Sequence, residues 1–311
     1  MEFHQLRYVC AIAETGSFSR AAERCQIAQP SLSQQILKLE EDLGAKLFDR
    51  LGRSVRLTEA GRAFMPHARS ILEQMEAARS SVADKKADVR GSVAVGVIPT
   101  IAPYLMPRYT AVFAKRYPDA KLRIVEETTP VLVESLRDLT IDLAILALPL
   151  RHKDLDLFPI CTEPLLAVLP KNHPRAAAES LALKDLRGES FVMLRDGHCF
   201  RDLSLAACTH ARITPNIAFE SGQFSSLFGM VAAGVGVSLV PEMAIDRNAG
   251  CRYVRLSDAR ATRTIVAAVL RGRSFNRVQR AFLGGIQVRT QGHPQSNPAQ
   301  RSRMPNRSAQ G

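Results

Sequence analysis

The residues of this 311-residue chain best able to do chemistry are its six cysteines, at positions 10, 25, 161, 199, 208 and 251. A thiol can ligate zinc, close a structural disulfide, or attack as its thiolate. Spacing argues against the first use: no two stand as CxxC, and no Cys/His cluster has zinc spacing. Six cysteines scattered through a chain this long do not make a disulfide framework either. Cys10, Cys25 and Cys161 read most simply as small buried hydrophobes. Cys199 differs, because His198 and Arg201 flank it and could supply the positive charge that lowers a thiol's pKa. A helix beginning there would add its N-terminal dipole. No serine nucleophile elbow, phosphate loop or metal cluster appears, so a hydrolase or metalloenzyme has no support and no cofactor is expected.

The composition bounds what must position these residues. With 46% hydrophobic and 23% charged residues, the chain is globular in type, neither wholly disordered nor collagen-like. Its length suggests two or three domains. No apolar run approaches the roughly 20 residues that span a bilayer. The start has Glu2 and no basic region before an apolar core, so no signal peptide, no membrane partner and a cytoplasmic location are expected. The net charge of +12 invites a nucleic-acid partner until it is divided. Residues 1–90 hold 14 Lys+Arg and 12 Asp+Glu, residues 91–246 hold 15 and 17, and residues 247–311 hold 13 and 1. The excess lies at the C-terminal end, and an even balance still permits DNA binding where basic groups share a face.

Three short helical patterns open the chain. The first runs from about Glu2 to Ala13, with Phe3, Leu6, Val9, Cys10 and Ala13 at helical spacing. Ser17 suits the N-cap of a second, FSRAAERC. Pro30 suits the first position of a third, whose stripe is Ile36, Leu39 and Leu43 and whose stop is Gly44. Two short helices joined by a turn form a helix-turn-helix. KLFDRLGRSVRLT reads as a hairpin wing turning near Leu51-Gly52-Arg53. Thr58 then caps a long helix from about 59 to 86, in which Phe64, Ala68, Ile71, Met75, Ala78 and Val82 form a heptad seam. Such a seam pairs helices in a homodimer or packs on its own domain, and Pro66 should kink or weaken its first turns.

After a linker at 88–91, strand and helix alternate. Strands are expected at 93–99, 121–127, 143–148, 165–170, 190–194, 217–220, 236–241 and 264–270. Helices are expected near 101–117, 130–139, 199–211, 224–233 and 275–287. This order implies a parallel sheet with helices on both faces and two lobes around a crevice. Residues 290–311 are nearly devoid of apolar side chains and are expected to be a disordered basic tail. Its Arg301, Arg303 and Arg307 could touch phosphates or only solvent.

The segment from Ser17 to Gly61, SFSRAAERCQIAQPSLSQQILKLEEDLGAKLFDRLGRSVRLTEAG, resembles the DNA-binding domain of LysR-type transcriptional regulators. The resemblance extends over about residues 1–290. It implies an α/β protein with a winged helix-turn-helix (1–58), a linker dimerisation helix (59–88) and a two-lobed regulatory domain similar to periplasmic binding proteins (91–289). Lobe I would take about 91–163 and 268–289, and lobe II 164–267. LRDGHCFRDLSLAAC (194–208) and GVIPTIAPYLMP (96–107) resemble the hydrogen-peroxide-sensing, OxyR-like branch. That resemblance implies roles at the site for Cys199, Cys208, His198, Thr100, Thr129 and Arg201, and more loosely Arg263. Cys208 would be the resolving thiol. It also implies a homotetramer, where the seam alone gives a dimer, and RNA polymerase as a further partner. The 290–311 tail departs from the branch, and Cys10, Cys25, Cys161 and Cys251 have no counterpart role.

Under this resemblance the thiolate would form a sulfenic acid, Thr100 and Thr129 would donate hydrogen bonds, and a second thiol would condense. If 199–208 were one helix, its ends would lie roughly 13.5 Å apart, whereas a disulfide needs Cα atoms within about 6.8 Å. Oxidation would therefore refold the segment. On the DNA side, Gln29, Pro30, Ser31, Ser33, Gln34 and Lys38 line the third helix for the major groove of promoter DNA, with Arg50, Arg53 and Arg56 on the wing. Two other readings stay open. One is a LysR-type regulator that senses a small anion between the lobes, with no redox role for the cysteines. The other is a thiol peroxidase, for which a 90-residue DNA-binding and dimerisation module would have no purpose.

Overall fold

A computed structural model describes residues 1–51, 54–82 and 89–291. Arg53 lies outside the described residues, as do residues 83–88, 292–311 and the side chains of Arg50 and Val82.

Helices α1 (Phe3–Thr15), α2 (Phe18–Cys25) and α3 (Gln29–Leu43) form the head. Each end follows from local chemistry. Gly16 and Gly44 take left-handed backbone angles and stop α1 and α3. The Ser17 hydroxyl accepts the Arg20 N–H at 3.4 Å and starts α2. Pro30 stands second in α3 rather than first. The stripe Leu32, Ile36 and Leu39 packs with Val9, Ile12 and Phe48 into one core. Strands β1 (Phe48–Leu51) and β2 (Ser54–Leu57) pair antiparallel as the wing. Thr58 accepts the Gly61 N–H at 2.9 Å and caps α4 (Glu59–Val82), which continues through Pro66. Gly61 is required there, since a Cβ would meet the Leu47 carbonyl oxygen at 2.1 Å. The first turns of α4 pack on the head itself: Met65 joins its core, Phe64 lies against it and Ala68 is fully buried. Ile71 and Met75 are half-buried and Ala78 is exposed.

The second part begins with β3 (Gly91–Val97), α5 (Ala102–Arg116), β4 (Ala120–Glu126), α6 (Thr129–Arg137) and β5 (Leu143–Ala147). β4, β3 and β5 pair in parallel. The sheet as a whole is mixed, not parallel, because two long strands cross it. β6 (Leu155–Pro170) begins ten residues earlier than the sequence suggested. Later elements are β7 (Ser180–Leu181), β8 (Ser190–Leu194), α7 (Cys199–His210), β9 (Asn216–Ser221), α8 (Phe224–Ala232), β10 (Ser238–Pro241), β11 (Cys251–Leu256), β12 (Thr262–Leu270) and α9 (Arg277–Gln291). β11 and β7 were not expected. The first half of β6 pairs antiparallel with β12, which also borders β5. Its second half pairs with β10 and β11. β6 thus carries the chain into the second lobe and β12 returns it.

Two apolar cores fill the first lobe and the inner part of the second. The chain re-enters the first core at Ile265, earlier than the expected 268, because β12 pairs with β5 from that residue. Helix α9 reaches Gln291, so residues 290 and 291 are helical, not tail.

Candidate functional site

Three chain segments meet at the carboxyl end of β3. The turn after β3 carries Ile98, Pro99 and Thr100, the start of α6 carries Thr128 and Thr129, and the start of α7 carries Gly197, His198 and Cys199. Together they line a slit too tight for a water-sized sphere. Gly197 has φ +91°, the left-handed turn that brings the chain into α7. Cys199 and Thr129 are each the first residue of a helix, so two positive helix ends face one thiol.

The Thr129 hydroxyl is buried without a hydrogen-bond partner at contact distance among the described residues. It still lies near enough to the Cys199 thiol to favour its anionic form. Burial is the largest influence on that thiol and pushes its pKa up; Thr129 and Arg263 pull it down, and Asp202 pushes it up. The net effect holds the thiol's pKa above its ordinary value.

The expected flanking cations do not act as the sequence suggested. His198 is buried, and burial together with Arg195 lowers its pKa, which favours the neutral ring. Arg201 turns away. Its Nε pairs with Asp196 at 2.7 Å, and its Nη1 bonds Glu220 at 2.5 Å and the Leu194 carbonyl at 2.9 Å. It fastens the turn before α7 to β9, and the cation acting on the thiol is Arg263.

Arg263 is 1% exposed. It donates from Nη1 to the Thr100 hydroxyl at 3.1 Å, and from Nε and Nη2 to Glu163 at 2.9 and 2.6 Å. Sequence reasoning missed Glu163. The signal was its position directly opposite Arg263 in the β6–β12 pair, which becomes legible only once β6 is extended.

Cys208 sits on the same continuous helix as Cys199 but in a different environment. It is 0% exposed, within a third apolar cluster with Leu186, Phe191, Met193 and Val237. Burial pushes its thiol up to about 11. Cys199 instead packs against the core of the first lobe. Cys161 is also pushed to about 11, and Cys251 donates to the Phe228 carbonyl at 3.3 Å. A wider cleft of about 770 Å³ adjoins the slit, with Tyr104, Glu126, Glu127, Arg195 and Gln223 on its walls.

In the head, Gln29, Pro30, Ser31, Gln34 and Lys38 are exposed on α3, opposite its buried stripe, and Ser33 is half-buried. Gln29 donates to Ser33 at 3.1 Å. Arg56 is exposed on β2.

Residues 3–62 match the model of the bacterial regulatory helix-turn-helix protein, lysR family, and residues 86–288 match the LysR substrate binding domain. The chain is 32% identical over 296 residues to an Escherichia coli K12 protein named DNA-binding transcriptional dual regulator OxyR, covering 94% of this chain and 97% of that one. Among solved structures it is similar to a full-length Pseudomonas aeruginosa OxyR carrying a Cys-to-Asp change. The TM-score is 0.79 at 32% identity, over 93% of this chain and 98% of that one. A Corynebacterium glutamicum OxyR cysteine mutant with hydrogen peroxide bound gives a TM-score of 0.60 at 30% identity, covering 93% and 91%.

Proposed function

The chain belongs to the LysR family of bacterial transcriptional regulators, and within it we propose a peroxide-responsive DNA-binding regulator whose sensor is Cys199. The observation that carries this reading is the slit: one thiol at a helix start, with the hydroxyls of Thr100 and Thr129 lining the same space and Thr129 unpartnered. Peroxide entering from the adjoining cleft must widen the slit, and its oxygens then accept from the Thr129 hydroxyl, which the protein leaves unpartnered. The names of the E. coli and C. glutamicum relatives point the same way.

Burial holds the Cys199 pKa above its ordinary value, so proton loss is the first step. Cys199 loses its proton, and the sulfur attacks one peroxide oxygen. An S–O bond forms as the O–O bond breaks, sulfur is oxidised, and the departing hydroxide takes up a proton to leave as water. Thr100 and Thr129 donate hydrogen bonds to the peroxide oxygens as charge moves onto the leaving one. The Cys208 thiol then displaces the hydroxyl from the Cys199 sulfenic acid: an S–S bond forms, the S–O bond breaks, and a second water leaves with the Cys208 proton. This second step requires α7 to unwind, since nine helical residues hold the two Cα atoms roughly 13.5 Å apart along the axis and a disulfide spans at most about 6.8 Å.

On this reading residues 1–58 dock on promoter DNA through α3 and the wing. Residues 59–88 join two copies, and residues 91–289 sense peroxide and pair dimers into a tetramer that acts with RNA polymerase. The refolded segment alters how the copies meet and so the spacing of the DNA-binding heads. The alternative anion sensor has a weaker footing, because among the described residues the wider cleft sets Glu126 and Glu127 against Arg195.

The test is peptide mass mapping, without reductant, after one equivalent of hydrogen peroxide. A dominant Cys199–Cys208 disulfide that disappears in Cys199→Ser is expected. Two reduced thiols under excess peroxide would discard the redox reading and return attention to the cleft. Steady NADPH-coupled peroxide turnover independent of DNA would indicate a peroxidase instead.

A further inference from the structure

The proposed reaction gives no role to Glu163, a buried charge beside the site. Glu163 stands where β6 leaves the first lobe, directly opposite Arg263. Its Oε1 accepts both Nε and Nη2 of Arg263, and its Oε2 accepts the Met243 N–H at 2.8 Å. The pair is closed to solvent, with side chains 8% and 0% exposed. Arg263 passes the constraint on. Its Nη1–H donates to the Thr100 hydroxyl, and its guanidinium lies over the ring of Phe200, the neighbour of Cys199, at 5.5 Å from the centroid. A hydroxyl oxygen that accepts from Arg263 has its own proton directed elsewhere, and Thr100 lines the Cys199 slit.

We propose that Glu163 is a positioning residue for the Cys199 site: by holding Arg263 and balancing its charge, it aims the Thr100 hydroxyl and limits the positive field at the thiol. The inference rests on Cys199 being the reacting group. The charged groups acting on that thiol are Arg263 from β12 and Asp202 from α7 itself, with His198 neutral beside it. Removing the Glu163 charge leaves Arg263 as an uncompensated cation in a low-dielectric pocket, which favours the thiolate.

The experiment uses the reduced full-length protein and reads iodoacetamide alkylation of Cys199 against pH, by peptide mass. Glu163→Gln should raise alkylation about tenfold at pH 6, the effect of one unmatched charge close to a titrating group. Its peroxide rate per thiolate should fall about tenfold, because Thr100 loses a fixed anchor. The double variant Glu163→Gln/Arg263→Gln removes both charges and should bring alkylation below the wild-type level. A folded Glu163→Gln with an unchanged alkylation profile overturns the proposal, and so does a double variant that keeps the single variant's rise. Breaking a buried pair one-sidedly destabilises the fold, because the remaining charge is left uncompensated. Should Glu163→Gln fail to fold, the double variant carries the test: lower alkylation supports the proposal and an unchanged profile overturns it. A wild-type Cys199 inert to peroxide, with the alkylation shifts present, sinks the peroxide reading while leaving the charge coupling intact.

Discussion

Replacing Ala206 with glycine tests whether α7 must come apart in the proposed switch. Ala206 lies inside α7 between the two cysteines and is exposed, so the change touches neither thiol nor the slit. Glycine costs a helix interior about 0.8–1.0 kcal/mol relative to alanine. The reduced protein, helical from Cys199 to His210, bears that cost in full. The disulfide form does not, because no intact helix closes roughly 13.5 Å to about 6.8 Å. The disulfide is therefore favoured by about 1 kcal/mol. For a two-electron couple about 1.4 kcal/mol corresponds to about 30 mV, so the reduction potential should become more negative by about 20 mV. Equilibration in dithiothreitol redox buffers, acid trapping and peptide mass counting read that shift. A lower melting temperature of the reduced variant provides the control that the helix was weakened. If melting falls while the potential stays within a few mV of the wild type, α7 does not unwind and the reasoning is wrong.

Two further outcomes follow from the same geometry. The Cys208 thiol has its pKa raised from 9.0 to about 11 by burial. The fold therefore keeps its full contribution below about pH 9 and loses about 2–3 kcal/mol between pH 9 and 11, as the unfolded chain deprotonates first. Cys208→Ala should flatten the decline of the urea midpoint over that range, leaving the part owed to Cys161, Cys199 and Cys251, whose thiols burial also raises; an equally steep decline would contradict it. On α3, Lys38→Ala should lower the slope of log affinity against log salt by about one, while Gln34→Ala should cost about 1–3 kcal/mol at a single base pair. Filter binding on operator and mutated operators separates these, and two unchanged profiles would remove the outer face of α3 from the DNA contact.

Where a boundary depends on one residue, the sequence was sufficient. Ser17, Gly44 and Thr58 act through bonds three or four residues away, so their effects are local and readable. The start of β6 was hidden because its first ten residues bury only Leu155, Ile160 and Glu163, with no period of two, and contain Pro159 and Pro164, which read as interruptions. Losing those ten residues also hid Glu163, whose partner Arg263 lies 100 positions away. Arg201 shows the opposite failure. It is two residues from Cys199 in the chain, yet α7 turns its guanidinium to Asp196 and Glu220. Adjacency in sequence does not fix adjacency in space once a helix rotates each residue by about 100°.

The two thiols also fix the order of events in the proposed switch. Cys208 is closed off in its own apolar cluster, with its pKa held up by burial alone, so it cannot act first. Cys199 is held back by burial too, but its neighbours Thr129 and Arg263 oppose that and Thr129 has a hydrogen bond to give. Oxidation at Cys199 must therefore precede unwinding. A sulfenic oxygen adds bulk to a slit with no room for a water-sized sphere, which strains the helix start where the new group sits. Unwinding from that end relieves the crowding and carries Cys199 out of the first core toward the second thiol. In the proposed switch, the packing that raises the resting thiol's pKa thus also crowds a sulfenic oxygen at the helix start. A roomier slit would give a faster thiol and a weaker switch.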